Sequence, residues 1–297
     1  SLFWKFLENN RTFPHDTRQG LYYSVQWKNA KVVFLDTRYH RQHHCIPSVA
    51  GKFPLGAGIA CLTRWISAGL LNKFCTSSPQ NAILGPEQWE WFEHQLMDNE
   101  NDNNTSNELL IVVSSIQVLT TNPAMESWGH FPEERRRLLQ MLLQQSQQVI
   151  LLSGDVHYGE ISSPFPNHPV QYLEITSSGM THDCKKNIYG SVCKPLLQLF
   201  PKHRYKDTSY YIGRNYGTIN DASVTVNVHN ATSGEIVLST GPLVFSQHNN
   251  REKRNTQELL DSTAPTMDGH LVVYTALLTT LILRLVGSHI LLSRRAS

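Results

Sequence analysis

Two side chains that could bind a metal ion, Asp155 and His157, stand two residues apart directly after the apolar run 149–152. A carboxylate oxygen and an imidazole nitrogen are both ligands of first-row metals. On an extended backbone the two side chains would point the same way, and Gly154 would let the main chain turn tightly beside an ion. The spacing therefore predicts a metal-binding turn. The alternative is a turn in which Asp155 caps the backbone and His157 is merely exposed.

A second polar turn, Asp36-Thr37-Arg38, follows the apolar run Val-Val-Phe-Leu at 32–35. In layered α/β folds, functional groups collect in the loops just past the carboxyl ends of strands. Asp36 and Arg38 are therefore candidate catalytic residues. Arg38 could contact a phosphate group, or it could form a buried ion pair with Asp36.

The elements that must position these turns can be predicted from periodicity and from turn residues. Trp89, Phe92 and Leu96 repeat at helical spacing after Gly85-Pro86, which predicts a helix that packs on the core. Strands alternating with helices and followed by a β-rich end indicate an α/β layered domain. The predicted strands are 22–27, 31–35, 109–113, 149–152, 170–176, 223–228 and 235–239, and a second helix is predicted at 132–144.

Six motifs extend this pattern over about residues 20–245. They are Phe-Leu-Asp-Thr-Arg-Tyr-His-Arg (34–41), Leu-Gly-Pro-Glu-Gln-Trp (84–89), Trp-Gly-His-Phe-Pro-Glu-Glu-Arg (128–135), Leu-Leu-Ser-Gly-Asp-Val-His-Tyr (151–158), Glu-Ile-Thr-Ser-Ser-Gly-Met-Thr-His (174–182) and Arg-Asn-Tyr-Gly (214–217). Together they resemble the C-terminal half of the PhoD-like alkaline phosphatases and phosphodiesterases, a family of the calcineurin-like metallophosphoesterase superfamily.

The resemblance implies a layered α/β/β/α metallophosphoesterase sandwich, here occupying residues 1–246. It implies hydrolysis of phosphate mono- or diesters, with iron and calcium ions as cofactors. Matched to the family motif, Asp155 and His157 would be metal ligands facing different ions. The ions would activate water for in-line attack at phosphorus, while Arg38 steadies the oxyanion charge.

For the other polar residues in these motifs, the residue type is compatible with more than one role. His182 and Arg214 are candidate substrate-binding residues, with turn capping as the alternative. Gln117 sits where the wider superfamily often has a histidine ligand, and a structural hydrogen bond is the favoured account of it. The pair His43-His44 beside Cys45 resembles a ligand cluster but is interpreted as part of a loop.

The chain departs from the family pattern at its start. The family's other metal ligands precede the Asp-Thr-Arg strand, and none is found in residues 1–33. Since two ligands do not complete a two-metal site, we expect the chain to be the C-terminal part of a longer protein and to be weakly active or inactive by itself.

The end of the chain predicts a membrane anchor. Residues 270–293 are mostly apolar and are interrupted by Arg284, and a helix of that length would cover roughly 30 Å, about one bilayer core. Residues 247–269 are predicted to form a flexible stalk, and residues 294–297 a short cytoplasmic tail. This orientation would place the domain on the extracytoplasmic side. The alternatives are a lipid-anchor signal and an amphipathic docking helix. An arginine inside a span costs about 2.5–3.5 kcal/mol, less if it snorkels.

Cysteines and sequons bear on the compartment. Cys184 and Cys193 flank a turn-like segment, and a local disulfide is expected if the compartment is oxidising. The absence of a Cys-x-x-Cys pair argues against a structural zinc knuckle, and buried free thiols remain an alternative for Cys61 and Cys75. The candidate glycosylation sites are Asn10, Asn103, Asn104 and Asn230.

Charge and motif content narrow the function classes. A formal net charge of +2 and the lack of a basic stripe give no indication of nucleic-acid binding. No Gly-x-Ser-x-Gly elbow supports metal-free acyl transfer. The predicted function is a membrane-anchored, metal-dependent phosphoesterase acting on a phosphate-ester substrate. The alternative is a catalytically silent relative that serves as a membrane-displayed binding module.

Overall fold

Most of the chain between residues 19 and 243 has a described structure. The computed structural model describes residues 19–43, 45, 60, 63–67, 82–101, 109–122, 124–145, 147–164, 172–185, 190–199, 203–220 and 224–243. The α-helices are α1 (Pro86–Asn101), α2 (Pro132–Leu143) and α3 (Gly190–Leu199), and 63–67 is also helical. The strands are β1 (Tyr23–Trp27), β2 (Ala30–Phe34), β3 (Leu109–Val113), β4 (Gln148–Ser153), β5 (Gly159–Ser162), β6 (Tyr172–Ser177), β7 (Tyr210–Tyr211), β8 (Asn215–Asn220), β9 (Thr225–Asn230) and β10 (Ile236–Ser239).

A seven-stranded mixed sheet has the order β1-β2-β3-β4-β6-β5-β7. Strands β2, β3, β4 and β6 run parallel to one another, and β1, β5 and β7 join as antiparallel strands. Strand β3 and the middle of β4 are continuous apolar runs, as expected where both faces of a sheet are covered. Leu110, Ile150 and Leu173, one from each of three adjacent strands, are fully buried.

Helices α1 and α2 cover one face of the sheet. Trp89, Phe92 and Leu96 of α1 pack with Leu138 and Leu142 of α2 over the side chains of β2, β3 and β4. The predicted apolar stripe of α1 is therefore confirmed as core packing.

A second sheet covers the other face. Its order is β10-β9-β8, and Val226 and Val228 of β9 pack against Ile150, Ile161 and Leu173 of the large sheet. The described residues thus form three layers, helix on sheet on sheet. The predicted α/β class is confirmed, and a helical layer outside the small sheet is not among the described residues.

Three strands and one helix were not predicted. Strand β5 has the composition Gly-Glu-Ile-Ser, β7 has two residues, and β8 begins Asn-Tyr-Gly, so none has the β-branched run that favours a strand. Helix α3 contains Pro195, which normally ends a helix. Pairing with neighbouring strands, which is a tertiary effect, decides β5, β7 and β8.

Several predicted features lie outside the described residues. They are the stalk, the apolar segment and the tail at 247–297, the sequons Asn10, Asn103 and Asn104, and residues His44, Cys61 and Cys75. In the part of the chain that is described, no helix is long and apolar enough to span a bilayer.

Candidate active site

The candidate residues gather at one edge of the large sheet, where the parallel strands β2, β3, β4 and β6 end. The loop after β2 touches the loop after β3 through a hydrogen bond between the hydroxyls of Thr37 and Ser115. The loop after β4 touches the loop after β6, since the His157 amide donates to Ser178 Oγ at 3.3 Å. Parallel strands place their carboxyl ends together, and this edge is therefore where the sequence predicted the chemistry.

The turn after β4 has an unusual backbone. Asp155 has φ +74° and His157 has φ +62°, both in the left-handed region. The expectation of an extended backbone with both side chains on one side is therefore wrong. Gly154 is not the residue that enables the turn, because a Cβ added there would only meet Ser115 O at 3.6 Å. Left-handed residues other than glycine cost about 1–2 kcal/mol each, so other contacts must hold this turn.

Arg38 reaches Asp155 across the edge of the sheet. Its Nη2 lies 3.2 Å from Asp155 Oδ1, and the side chains are 61% and 32% exposed. The alternative in which Arg38 forms a buried ion pair with Asp36 is wrong, because Asp36 has other partners and the guanidinium is exposed. The alternative in which Asp155 caps the backbone is also not observed, since its carboxylate contacts Arg38 instead.

Asp36 shapes the turn that carries Arg38. One carboxylate oxygen accepts from the amides of Arg38 and Tyr39 at 2.8 and 3.0 Å, and the other accepts from the Leu21 amide at 2.7 Å. The backbone of Asp36 exchanges two further hydrogen bonds with the side chain of Gln88 on α1. The geometry indicates a positioning role, and a direct catalytic role for Asp36 stays a prediction.

The remaining predicted residues lie beside this turn. The rings of His157 and His182 stack with centroids 5.7 Å apart. Arg214 Nε lies 3.6 Å from Asp183 Oδ2, next to His182 in the chain. The structure therefore brings His182 to the turn of Asp155 and His157 and Arg214 to the neighbouring loop, while substrate contact by either residue stays a prediction. His43 is exposed in its loop.

The donor atoms at this edge fit part of a metal site. Asp155 and His157 supply a carboxylate and an imidazole, and His182 adds a second ring beside them. Within the described ranges, no group of three or more His, Cys, Asp or Glu side chains is arranged to hold an ion. A catalytic metal usually has three protein ligands, so these residues supply only a fraction of a full ligand set.

A buried polar network lies directly beneath the turn, and sequence reasoning missed most of it. Gln117 donates to Glu160 Oε2 at 3.0 Å and to Thr176 Oγ1 at 2.9 Å, and it accepts from the Tyr158 hydroxyl at 3.2 Å. Arg204 Nε pairs with Glu160 Oε1 at 2.8 Å, with side chains 3% and 6% exposed. The structural account of Gln117 is therefore confirmed. Tyr158 and Glu160, two positions apart directly after the Asp-x-His motif, were the available signal.

Two buried charged residues anchor the loop after β3. Glu174 accepts from the amides of Val118 and Leu119, both at 2.7 Å, and Arg135 donates to the carbonyl oxygens of the same two residues. Burial raises the pKa of Glu174 to about 7, which the two amide donors oppose. Burial also lowers the pKa of Arg135 to about 10, and the Glu174 carboxylate offsets part of that change.

Disulfides link the loops around the site. Cys184 and Cys193 form a disulfide between the loop after β6 and α3, with Cα atoms 6.1 Å apart. Cys45 is also disulfide-bonded. The Cys184 amide donates to the carbonyl oxygen of His157 at 2.9 Å, so the Cys184–Cys193 disulfide is tied directly to the turn of Asp155 and His157.

Comparison with known proteins gives a family and a similar solved structure. A solved structure described as the structure of PhoD aligns with a TM-score of 0.43 and 16% identity, covering 81% of this chain and 48% of that one. The chain thus spans about half the length of that protein. A search of curated proteins gives no match. The family model of the PhoD-like phosphatases matches residues 6–198, and the chain belongs to this family.

Proposed function

We propose that this chain carries part of the active site of a metal-dependent phosphoesterase that hydrolyses phosphate mono- or diesters. Membership of the PhoD-like family supports the reaction class. The contact between Arg38 and Asp155 at 3.2 Å is the observation on which the site assignment depends. This contact places a guanidinium group, which can hydrogen-bond phosphate oxygens, beside a carboxylate, which can bind a cation.

Each side chain has a distinct part in this proposal. Asp155 and His157 bind metal ions, for which the family resemblance implies iron and calcium. A bound ion polarises a phosphoryl oxygen and lowers the pKa of bound water. Arg38, with its side chain largely exposed, has donors left to contact the phosphate, and Asp36 holds its backbone in place. His182 and Arg214 line the entrance beside the metal-binding turn.

The compartment and architecture are further parts of the proposal. We place the domain, residues 1–246, on the extracytoplasmic side of a membrane, tethered through a stalk (247–269) to a span (270–293) with a short cytoplasmic tail (294–297). The disulfides at Cys45 and Cys184–Cys193 support an oxidising compartment. The fold is proposed to gain a fourth, helical layer, completing an α/β/β/α sandwich.

A glycan at Asn230 fits the same compartment. Asn230 ends β9, and residues 231–236 of the following turn are exposed. Its side-chain oxygen accepts from the Thr232 amide at 2.9 Å, so the sequon lies in a tight and accessible turn. A mass shift that glycosidase removes from the wild type, and that is smaller in Asn230→Gln, would test this assignment.

The decisive experiment uses the complete protein with iron and calcium present. Metal content and hydrolysis of p-nitrophenyl phosphate and bis-p-nitrophenyl phosphate would be measured for Asp155→Asn and His157→Asn. Matched controls are Asp207→Asn and His94→Asn, which change exposed residues away from the site. We expect the site variants to lose metal and at least about 100-fold in activity, more than outer-shell changes remove, and the controls to keep both.

Two outcomes would overturn the proposal. If the wild type binds no metal and hydrolyses neither ester, the alternative of a silent, membrane-displayed binding module is favoured. If the wild type is active but Asp155→Asn and His157→Asn match their controls, the active site lies elsewhere in the protein.

A further inference from the structure

The turn that carries Asp155 and His157 begins and ends at residues tied to one buried side chain. Ser153, the last residue of β4, shares a hydrogen bond with Thr176 Oγ1 at 2.8 Å, and Thr176 in turn accepts from Gln117 Nε2. At the other end, the hydroxyl of Tyr158 donates to Gln117 Oε1. Gln117 therefore contacts the strand end before the turn, through Thr176, and the first residue after it directly.

The orientation of the Gln117 amide is set by its surroundings. Its nitrogen has two acceptors, Glu160 and Thr176, so its oxygen must face Tyr158. Glu160 is held in turn by Arg204, which also donates to the Leu197 carbonyl at 2.9 Å. Gln117 is completely buried and Tyr158 is 1% exposed. No part of this chain of hydrogen bonds can exchange easily with water, and buried networks of this kind hold a single geometry.

The turn needs such support. Both proposed ligands have left-handed backbone angles. Besides the exposed side-chain contact of Asp155 with Arg38, the backbone of the turn makes three hydrogen bonds to neighbouring loops among the described residues: the amide of His157 to Ser178 at 3.3 Å, the amide of Ser178 to the carbonyl of Tyr158 at 3.3 Å, and the amide of Cys184 to the carbonyl of His157 at 2.9 Å. Two of these are long, and the third acts only at His157.

We propose that Gln117 and Tyr158 are positioning residues that hold the Asp155–His157 turn in its left-handed geometry and thereby set metal affinity. The inference rests on the proposed function, because it takes Asp155 and His157 as the ligands. Gln117 itself contacts neither the metal nor the substrate. Partners that orient metal ligands typically change affinity by about 10- to 100-fold when removed.

A matched pair of tyrosine variants tests this inference. Tyr158→Phe keeps the buried ring, which packs with Cys193 and Leu197, and removes only the hydroxyl. Tyr172→Phe is the control, since Tyr172 is also buried, lies in the same sheet, and donates to the Gln145 carbonyl at 3.5 Å, at the end of β6 remote from the site. Gln117→Met serves as a second variant that breaks both connections at once.

Binding of Mn²⁺ would be measured on the complete protein by water-proton relaxation, together with hydrogen exchange of the amides of residues 154–158 and the thermal midpoint. We expect Tyr158→Phe to weaken Mn²⁺ binding at least about 10-fold and to speed exchange in the turn. Tyr172→Phe should do neither while lowering the midpoint by a similar amount.

The outcomes separate this inference from the proposed function. If the wild type binds Mn²⁺ through Asp155 and His157 but Tyr158→Phe matches Tyr172→Phe in affinity and exchange, the positioning role is refuted and the enzyme proposal stands. If wild-type Mn²⁺ binding is unaffected by Asp155→Asn and His157→Asn, the proposed function itself fails.

Discussion

Two arginine–carboxylate pairs lie close to the same turn, and they differ in their exposure to solvent. Arg38 and Asp155 are 3.2 Å apart and largely exposed, whereas Arg204 and Glu160 are 2.8 Å apart and almost completely buried. An exposed pair contributes little to stability and leaves both groups accessible to ligands. A buried pair cannot reach a ligand, and each member is needed to neutralise the other. The turn thus separates a solvent-accessible pair from a buried polar network.

The same contrast between exposed and buried residues applies to the left-handed backbone angles of the turn. The left-handed residues Asp155 and His157 are exposed, while the residues that hold them, Gln117 and Tyr158, are buried. Strain is tolerated at a functional surface only when the surrounding structure over-determines it. The division between exposed residues and the buried residues that hold them can be tested by substitutions, whose expected effect on the free energy of unfolding falls from the buried pair to the exposed pair.

Breaking the buried pair should have the largest effect. Arg204→Met leaves Glu160 buried without its partner, which is expected to lower the free energy of unfolding by about 3–5 kcal/mol. Urea denaturation followed by tryptophan fluorescence measures it. The double variant Arg204→Met/Glu160→Leu removes both charges and should recover part of the loss. A change below about 1 kcal/mol for Arg204→Met would show that the buried ion pair does not stabilise the network beneath the turn.

Glu174 should make stability depend on pH. Its pKa is about 7 in the folded protein against 4.5 when unperturbed, so the folded state binds this proton more tightly. The resulting stabilisation is fully present below the unfolded pKa, and it is lost as pH rises through the folded pKa. At about 1.4 kcal/mol per pKa unit, the difference is at most about 3.5 kcal/mol.

The pH dependence is measured as the difference between wild type and Glu174→Gln in urea unfolding from pH 5 to pH 8. Glu174→Gln should be less stable overall, because it loses an acceptor for one of two amides, but its profile should be flatter. Glu90→Gln, an exposed change on α1, is the control and should follow the wild type. Parallel profiles for wild type and Glu174→Gln would contradict the prediction.

Two glycines beside the turn should respond differently to a methyl group. A Cβ at Gly179 would collide with the side chain of Asn215 and lie 2.9 Å from the carbonyl oxygen of Gly213, whereas one at Gly154 meets no atom closer than 3.6 Å. Gly179→Ala is expected to lose about 1–3 kcal/mol. Gly154→Ala should keep its stability or gain up to about 1 kcal/mol. Thermal denaturation of both variants measures this, and equal losses would refute the comparison.

The exposed pair should matter least for stability and most for chemistry. Arg38→Met is expected to change the free energy of unfolding by less than about 1 kcal/mol. The same variant should lower kcat/KM for phosphate-ester hydrolysis by about 10²-fold, as the loss of one donor to a developing oxyanion does. Arg136→Met, which removes another exposed ion pair, is the control for both measurements. Unchanged hydrolysis by Arg38→Met would remove Arg38 from the proposed site.

Local patterns predicted the frame of the site well. Strand β3 spans the predicted residues, and the helix predicted from Gly85-Pro86 begins at Pro86. Asp36 and Asp155 follow the carboxyl ends of β2 and β4, two parallel strands of the same sheet, as expected. These features depend on side chains close together in the sequence, namely apolar runs, prolines at helix starts and polar residues where a strand ends. Most of the family motifs lie at the same kinds of position, where a strand ends or a helix begins.

The partners of the site residues could not be predicted in the same way. Arg38 pairs with a residue 117 positions away rather than with Asp36, and Gln117 bonds to Tyr158 41 positions away. The left-handed angles at Asp155 and His157 also contradict the local preference of both residue types for other regions. Contacts of this kind depend on how strands pair, and no local pattern encodes that.

The sequence by itself determined the α/β class, the family and the two polar turns, because strand propensity and motif spacing are short-range properties. Only the tertiary structure decided which arginine is exposed and which is buried, since burial depends on the layers that close over β5 and β6. It also decided the conformation of the Asp155–His157 turn, because a strained backbone persists only where distant, buried side chains such as Gln117 hold it.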